Sequence, residues 1–215
     1  MSTKNRPRRT YNSSRRQEQA QQTRSEIVAA ARRLFMARGY SGATLEAIAR
    51  EAGVAVETVY AAFGNKRAIL SRLLSVSLLG DEEPVPLLQR EGPLGVQRET
   101  DQRRQIELFA ADMYNIMQRI APILMVMRAA AKTDPEISQM LEDLLRDRAE
   151  NLKVVPRFLM ANGPLRPGLT VEEAAQTIWA LTSGEVFTLL IEDLGWPADK
   201  YKSWLTDSLM RLLLP

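Results

Sequence analysis

An all-α chain, with a small N-terminal helix-turn-helix unit of three helices ahead of a larger C-terminal helical domain, is predicted by three features of the sequence. Apolar residues recur at helical spacing from Ile27 to Leu74 and again from about Asp101 to the end, and no strand-like alternation stands out. Gly39, Gly53 and Gly64-Asn65 punctuate the first stretch, which divides it into short helices. Charge is segregated as well: residues 1–72 hold fourteen Lys/Arg against five Asp/Glu, a balance of +9, while residues 73–215 carry −6, within a net charge of +3. Such a division suggests a polyanion-binding end joined to an ordinary acidic domain.

The first sixteen residues carry Lys4, Arg6, Arg8, Arg9, Arg15 and Arg16 and no acid. Residues 1–22 have no apolar face and read as a disordered basic arm. Thr23-x-x-Glu26 is a capping box that opens the first helix, along which Ile27, Ala30, Ala31, Leu34 and Phe35 share a face until Gly39 closes it. Thr44 is a good N-cap for a second helix with Leu45, Ile48, Ala49 and Ala52 on one side. After Gly53-Val54-Ala55, a third helix runs roughly from Val56 to Phe63 and buries Val59, Ala62 and Phe63. Lys66 starts a fourth through Ile69, Leu70, Leu73 and Leu74. Residues 23–72 thus form one unit, with the helix-turn-helix at about 44–63.

Residues 73–101 read as the end of that helix and a flexible loop, because Pro84, Pro86, Gly92, Pro93 and Gly95 follow the acidic run Asp81–Glu83. From 102 to 215 helical periodicity resumes, punctuated at Pro122, Asp134-Pro135, Gly163-Pro164, Gly168 and Gly195-Trp196-Pro197. Asp134 followed by Pro135 is an N-cap and first-turn pair.

Composition excludes many activities. Cys 0 and His 0 leave no disulfide, no Cys/His metal or haem site, no Cys nucleophile and no His-based triad. Neither phosphate-cradling glycine loop occurs. Adjacent carboxylates, Glu142/Asp143 and Glu172/Glu173, point about 100° apart on a helix and do not converge on one bond. The longest uncharged apolar run, near Ala121–Met127, is far short of the ~20 residues of a membrane span, and the N-terminus lacks a secretory pattern. The expectation is a cytoplasmic protein without cofactor or metal, and not an enzyme.

The third helix has an outward side of Glu57, Thr58, Tyr60 and Ala61, with Val56 at its edge. A short helix with small or polar residues facing out fits the DNA major groove, and the preceding basic arm strengthens that reading. The run Ala30-Ala31-Arg32-Arg33-Leu34-Phe35, Gly39-Tyr40, Ala43–Ala49, Ala52-Gly53-Val54, Thr58–Phe63 and Asn65-Lys66 resembles the DNA-binding domain of TetR-family transcriptional regulators. Trp179–Ser183, Gly195-Trp196-Pro197 and Trp204-Leu205 resemble the regulatory domain of one branch of that family.

The resemblance implies a homodimer that reads a palindromic operator in double-stranded DNA, and a C-terminal domain that binds a small organic effector and thereby releases DNA. It implies that Val56, Glu57, Thr58, Tyr60 and Ala61 face bases or phosphates, and that Thr44, Tyr60 and Lys66 hold phosphates. Arg6, Arg8, Arg9, Arg15 and Arg16 form either an inert tail or a minor-groove arm. Two residues depart from the family: Ala55 replaces the usual Ser or Thr cap, and Glu57 turns a negative charge toward DNA.

In the C-terminal domain, Ile178, Leu181, Gly184 and Leu189, with Trp204, Leu205 and Leu209, lie on two stripes that either close the core or dimerise as half of a four-helix bundle. Met113, Tyr114, Met117, Met125, Met127, Met140, Phe158 and Trp179 suit either core packing or an adaptable apolar pocket. The leading function is a repressor released by an apolar or amphipathic effector; the alternative is a dimeric DNA-binding protein without one.

Overall fold

The computed structural model describes residues 11–215. Among these residues there are eleven α-helices and no strand, as the periodicity predicts. The chain divides into two compact units after Leu73.

The first unit holds α1 (Tyr11–Gly42), α2 (Leu45–Ala52), α3 (Val56–Phe63) and the start of α4 (Lys66–Leu79). Ile27, Ala30, Ala31 and Phe35 of α1 enclose a core with Ile48 of α2, Val59 of α3 and Ile69 and Leu70 of α4. The expected start of α1 at Thr23 is corrected: the helix begins at Tyr11. Arg15–Gln22 consists of strong helix formers, and extending an existing helix avoids the cost of nucleation. Gln22 Nε2 donates to Glu26 Oε1 at 2.9 Å and Ser25 Oγ to the Gln21 carbonyl at 3.1 Å, inside the helix where a capping box was expected. Arg15 and Arg16 are therefore exposed helical residues rather than part of a disordered arm, while Arg6, Arg8 and Arg9 lie outside the described residues. Gly39 interrupts the helical path at φ 69° and ψ 174°, a conformation glycine alone adopts easily. This break lets Tyr40 turn back onto Phe35, with 5.5 Å between ring centroids.

The second unit is built around α6 (Gln102–Ala131), against which α5 (Glu91–Arg98), α7 (Pro135–Leu152), α10 (Gly184–Thr188) and α11 (Ala198–Leu213) pack. Pro122, read as a break, lies inside α6. The buried Ile116, Met117, Ile120, Ala121, Ile123 and Leu124 surround it, and their burial outweighs the ~3 kcal/mol that an internal proline costs. Asp134 caps α7 by accepting from Glu136 and Ile137 N–H, with Pro135 next.

The flexible loop expected at 80–101, after the helix end, is also corrected. Arg90 closes the turn 81–90 with a forked pair to Asp81 at 2.6 and 2.8 Å and a bond to the Val85 carbonyl at 3.1 Å. The Arg90 side chain holds the Asp81 carboxyl down at about 2. Pro93 falls in the first turn of α5, where no N–H is needed, and Gln105 Nε2 donates to the Val96 carbonyl at 2.9 Å. The second unit therefore starts at Leu74, not at residue 102.

After α8 (Val154–Met160), α9 (Val171–Leu181) starts with a true capping box between Thr170 and Glu173. Thr182 and Ser183 leave the helical path, and Ser183 caps α10, which ends in a wide π-turn over Leu189–Asp193. Taken as one, Val171–Asp193 is 23 residues long and apolar enough to cross a membrane, contrary to the sequence expectation. The break at Thr182-Ser183 and the burial of Ala174, Ala175, Ile178 and Phe187 mark it as a pair of packed helices in this fold.

Candidate DNA-binding surface and ligand cavity

The helix-turn-helix is assembled by backbone capping at each end. Thr44 Oγ1 accepts from Ala47 N–H at 3.1 Å. The carboxyl of Glu46 is held below its ordinary range by its own backbone N–H and by the Thr44 hydroxyl. Gly53 sits at φ 70° and ψ 27°, donating to the carbonyls of Ala49 and Arg50, and Val54 N–H reaches Ala49 O at 3.0 Å. These bonds set the angle at which α3 leaves α2. Ala55 then occupies the N-cap of α3 with φ −68° and ψ 148° but no side-chain bond. Because that backbone is already the N-cap conformation, Ala55→Ser is expected to stabilise the unit by about 1 kcal/mol, seen as a higher unfolding midpoint in denaturant.

The faces of α3 match the sequence reading where it concerns direction. Val59 is fully buried and Tyr60 is 50% exposed. Glu57 and Ala61 are exposed, and Val56 and Thr58 are half-buried at the edges. Ala62 and Phe63, expected in the core, are only half-buried. They lie in the last turn of a short helix, where the Arg24 guanidinium covers the Phe63 ring and donates to the Ala62 carbonyl. Arg24 was not singled out in the sequence, since its partner lies 38 residues away.

Lys66, expected to hold a phosphate, also has a structural contact within the unit. Its Nζ donates to the Tyr40 carbonyl at 2.7 Å and lies 4.2 Å from the centroid of the Tyr40 ring. The ammonium thus pins the start of α4 to the turn after Gly39, which offsets the poor placement of a cation at a helix N-terminus. Asn65 Oδ1, accepting from Ala68 N–H at 2.9 Å, supplies the cap of α4.

In the second unit, α5, α6, α7 and α8, with Leu78 of α4 and Leu87 and Leu88 of the turn before α5, line a partly open cavity of about 270 Å³. Of the expected pocket residues, Met113, Met117 and Phe158 line it; Tyr114, Met125 and Trp179 do not. Tyr114 belongs to an aromatic cluster with Phe187 and Tyr201, centroids 5.9 Å away in each case. Burial pushes the Tyr201 hydroxyl up to about 12. Met125 packs near Gly184, Met127 is core, and Met140 is half-buried outside the cavity. Trp179 lies under the Arg148 guanidinium at 5.5 Å. Periodicity alone did not reveal the polar part of the wall, which is Asp112, Asp147, Arg148 and Asn151. Arg148 donates to the Trp179 carbonyl at 3.2 Å and to the carbonyl and hydroxyl of Thr182 at 2.8 and 2.7 Å. Burial draws its pKa down to about 10, so it stays charged at neutral pH.

The expected dimer residues separate into two groups. Ile178, Leu205 and Leu209 are enclosed in the core of their own unit, and Gly184 is buried near Leu124 and Met125. That corrects their assignment: a side chain without exposed surface has none to offer a second copy. Leu181 and Trp204 are half-buried, and Leu189 is 50% exposed. Leu194, just after the π-turn, and Leu212 of α11, at 59% and 41%, are further exposed apolar residues.

Glu172 pairs with Lys153 at 2.9 Å, Glu173 is taken up by its cap, and Asp143 accepts from Arg146. Neither adjacent pair converges on a common site. Among the described residues no group of His, Cys, Asp or Glu is arranged to hold a metal ion.

Residues 27–73 match the family of bacterial regulatory proteins described as the tetR family. The HTH-type transcriptional regulator UidR of Escherichia coli (strain K12) is 24% identical over 179 residues, spanning 83% of this chain and 87% of UidR. Among solved structures, NalD, the secondary repressor of the MexAB-OprM multidrug efflux pump in Pseudomonas aeruginosa, superposes with a TM-score of 0.68. It is 22% identical and covers 92% of this chain and 98% of its own. The transcriptional regulator FadR from Bacillus subtilis, in complex with stearoyl-CoA, gives 0.66 at 19% identity, over 86% of this chain and 96% of FadR.

Proposed function

The chain is a DNA-binding transcriptional regulator of the TetR family, and we propose that it works in the cytoplasm as a homodimeric repressor, released from a palindromic operator by a small apolar or amphipathic molecule. The observation that carries the DNA half is the outward face of α3. Glu57, Tyr60 and Ala61 stand clear of the core while Val59 anchors the helix, which leaves a short, nearly flat face for a major groove. The exposed Arg15, Arg16, Arg38 and Arg50 of the same unit offer charge to the phosphates. Dimerisation is supported by the exposed Leu189 and Leu212 on helices whose other faces are buried.

The effector half rests on the cavity, whose wall is apolar apart from a few polar groups. NalD as a repressor and FadR with its bound acyl-CoA support the same reading. No catalysis is assigned to the chain.

Glu57 tests the docking of α3. A carboxylate repels phosphates but accepts well from a cytosine amino group. Glu57→Ala is therefore expected to tighten binding to random DNA while relaxing discrimination at one base pair by about 1–3 kcal/mol. Tyr60→Phe is expected to weaken operator and random DNA alike by about 1 kcal/mol. The measurement is a competition titration against operators substituted at single positions. A Glu57→Ala variant with unchanged preference at every position contradicts this docking.

A further inference from the structure

The charged groups around the cavity are unequally satisfied. Arg148, the basic residue in the wall, spends its guanidinium on the Trp179 and Thr182 carbonyls and the Thr182 hydroxyl. Asp112, on α6, accepts no hydrogen bond from any described residue. Its carboxylate instead lies flat on the backbone of α5 at Gly92, where a Cβ would stand 2.3 Å from Oδ1. Its charged neighbour on α6 is Arg119, which is held by the Ser77 and Leu78 carbonyls at 2.9 and 3.3 Å. Burial raises the Asp112 pKa from its usual value and Arg119 opposes that shift only in part. Asp112 is half-buried in this largely apolar wall, and no side chain among the described residues donates to it. Phe109 and Phe158 line the same space, and aromatic faces attract cations. Asp147 adds a second carboxylate to the wall.

Resting on the reading of this cavity as the effector site, we propose that its effector is an amphipathic organic cation, whose ammonium group is received by Asp112 and whose apolar body fills the space lined by Met113, Met117 and Phe158. The cation adds a counter-charge on the cavity side of Asp112 to the one Arg119 supplies from α6, and the tail takes up apolar surface. Gly92 is part of this design: any side chain there would displace the carboxylate.

The test is calorimetric titration of the full chain with three probes of equal chain length, octyltrimethylammonium, 1-octanol and octanoate, repeated on Asp112→Asn. The expected result is an ammonium probe bound about tenfold more tightly than the alcohol, with octanoate weakest. Asp112→Asn should remove that advantage and leave 1-octanol within about twofold. Octanol binding with no advantage for the ammonium, or an advantage that survives in Asp112→Asn, overturns the cation assignment and leaves the cavity as a site. Octanoate binding most tightly overturns it in favour of Arg148. Binding of none of the three overturns the cavity itself as the effector site. The charge preference of the unmodified chain decides the matter even if Asp112→Asn folds poorly.

Discussion

Leu189→Glu yields a folded monomer whose affinity for a two-half-site operator is lower by a hundredfold or more. The size of the effect follows from linkage of two DNA-reading units, which raises affinity by about 10²–10⁴ when both engage. The direction follows from exposure. Leu189 is half in solvent in the single chain, so the glutamate costs the fold little. In a two-fold interface each copy would bury it, without a partner, at several kcal/mol. Leu205→Glu is the contrasting variant, because Leu205 has no exposed surface and its replacement unfolds the unit. Sedimentation velocity separates the outcomes. A Leu189→Glu chain that still sediments as a dimer places the interface elsewhere.

Arg148→Met carries the second large effect. It keeps an aliphatic stem of similar length but deletes the guanidinium over Trp179 and three charge-assisted hydrogen bonds at the break between α9 and α10. Each such bond contributes about 1.5–3 kcal/mol, and relief from burying the guanidinium offsets part of the loss. A net destabilisation of about 3 kcal/mol is expected, lowering Tm by roughly 6–12 °C. Arg148→Lys should fall between, since an ammonium does not span the Trp179 and Thr182 carbonyls as a fork does. Hydrogen exchange at Thr182 and Ser183 should rise in step. Unchanged melting of Arg148→Met would mean that Thr182, fully buried and bonded to the Ile178 carbonyl at 2.6 Å, holds the break alone.

The helix-turn-helix was legible because its information is local. Thr44, Gly53 and Val54 act on backbone groups within a few residues, and the stripe Ile48, Ala49 and Val59 declares its own buried side. The bond from Lys66 to the Tyr40 carbonyl was not legible because that carbonyl lies 26 residues away in a turn no periodicity describes. The same limit hid Arg24. Over 80–101 the sequence predicts a loop because Pro93 and the glycines count against helix, whereas position decides: Pro93 in a first turn is tolerated, and Arg90 supplies the tie that composition does not display.

In the cavity, Met113 and Met117 are one turn apart on α6, so a shared direction was readable. Tyr114, adjacent to Met113, points around the helix into the aromatic cluster, and counting flexible or aromatic residues does not distinguish the two. Ile178, Leu205 and Leu209 failed as interface residues for a related reason. A helix pair between core and surface has two apolar faces, and spacing alone does not say which one the monomer closes.

Selection of DNA from a random pool by the full-length protein tests the central claim most directly. A dimer presenting two copies of α3 is expected to enrich a palindrome whose half-sites lie about 10 base pairs apart, or a multiple of that spacing. The half-site should contain a cytosine whose substitution Glu57→Ala tolerates. Recovery of DNA without a shared sequence, or of a single unrepeated site, would contradict the reading of this chain as a dimeric operator-binding regulator.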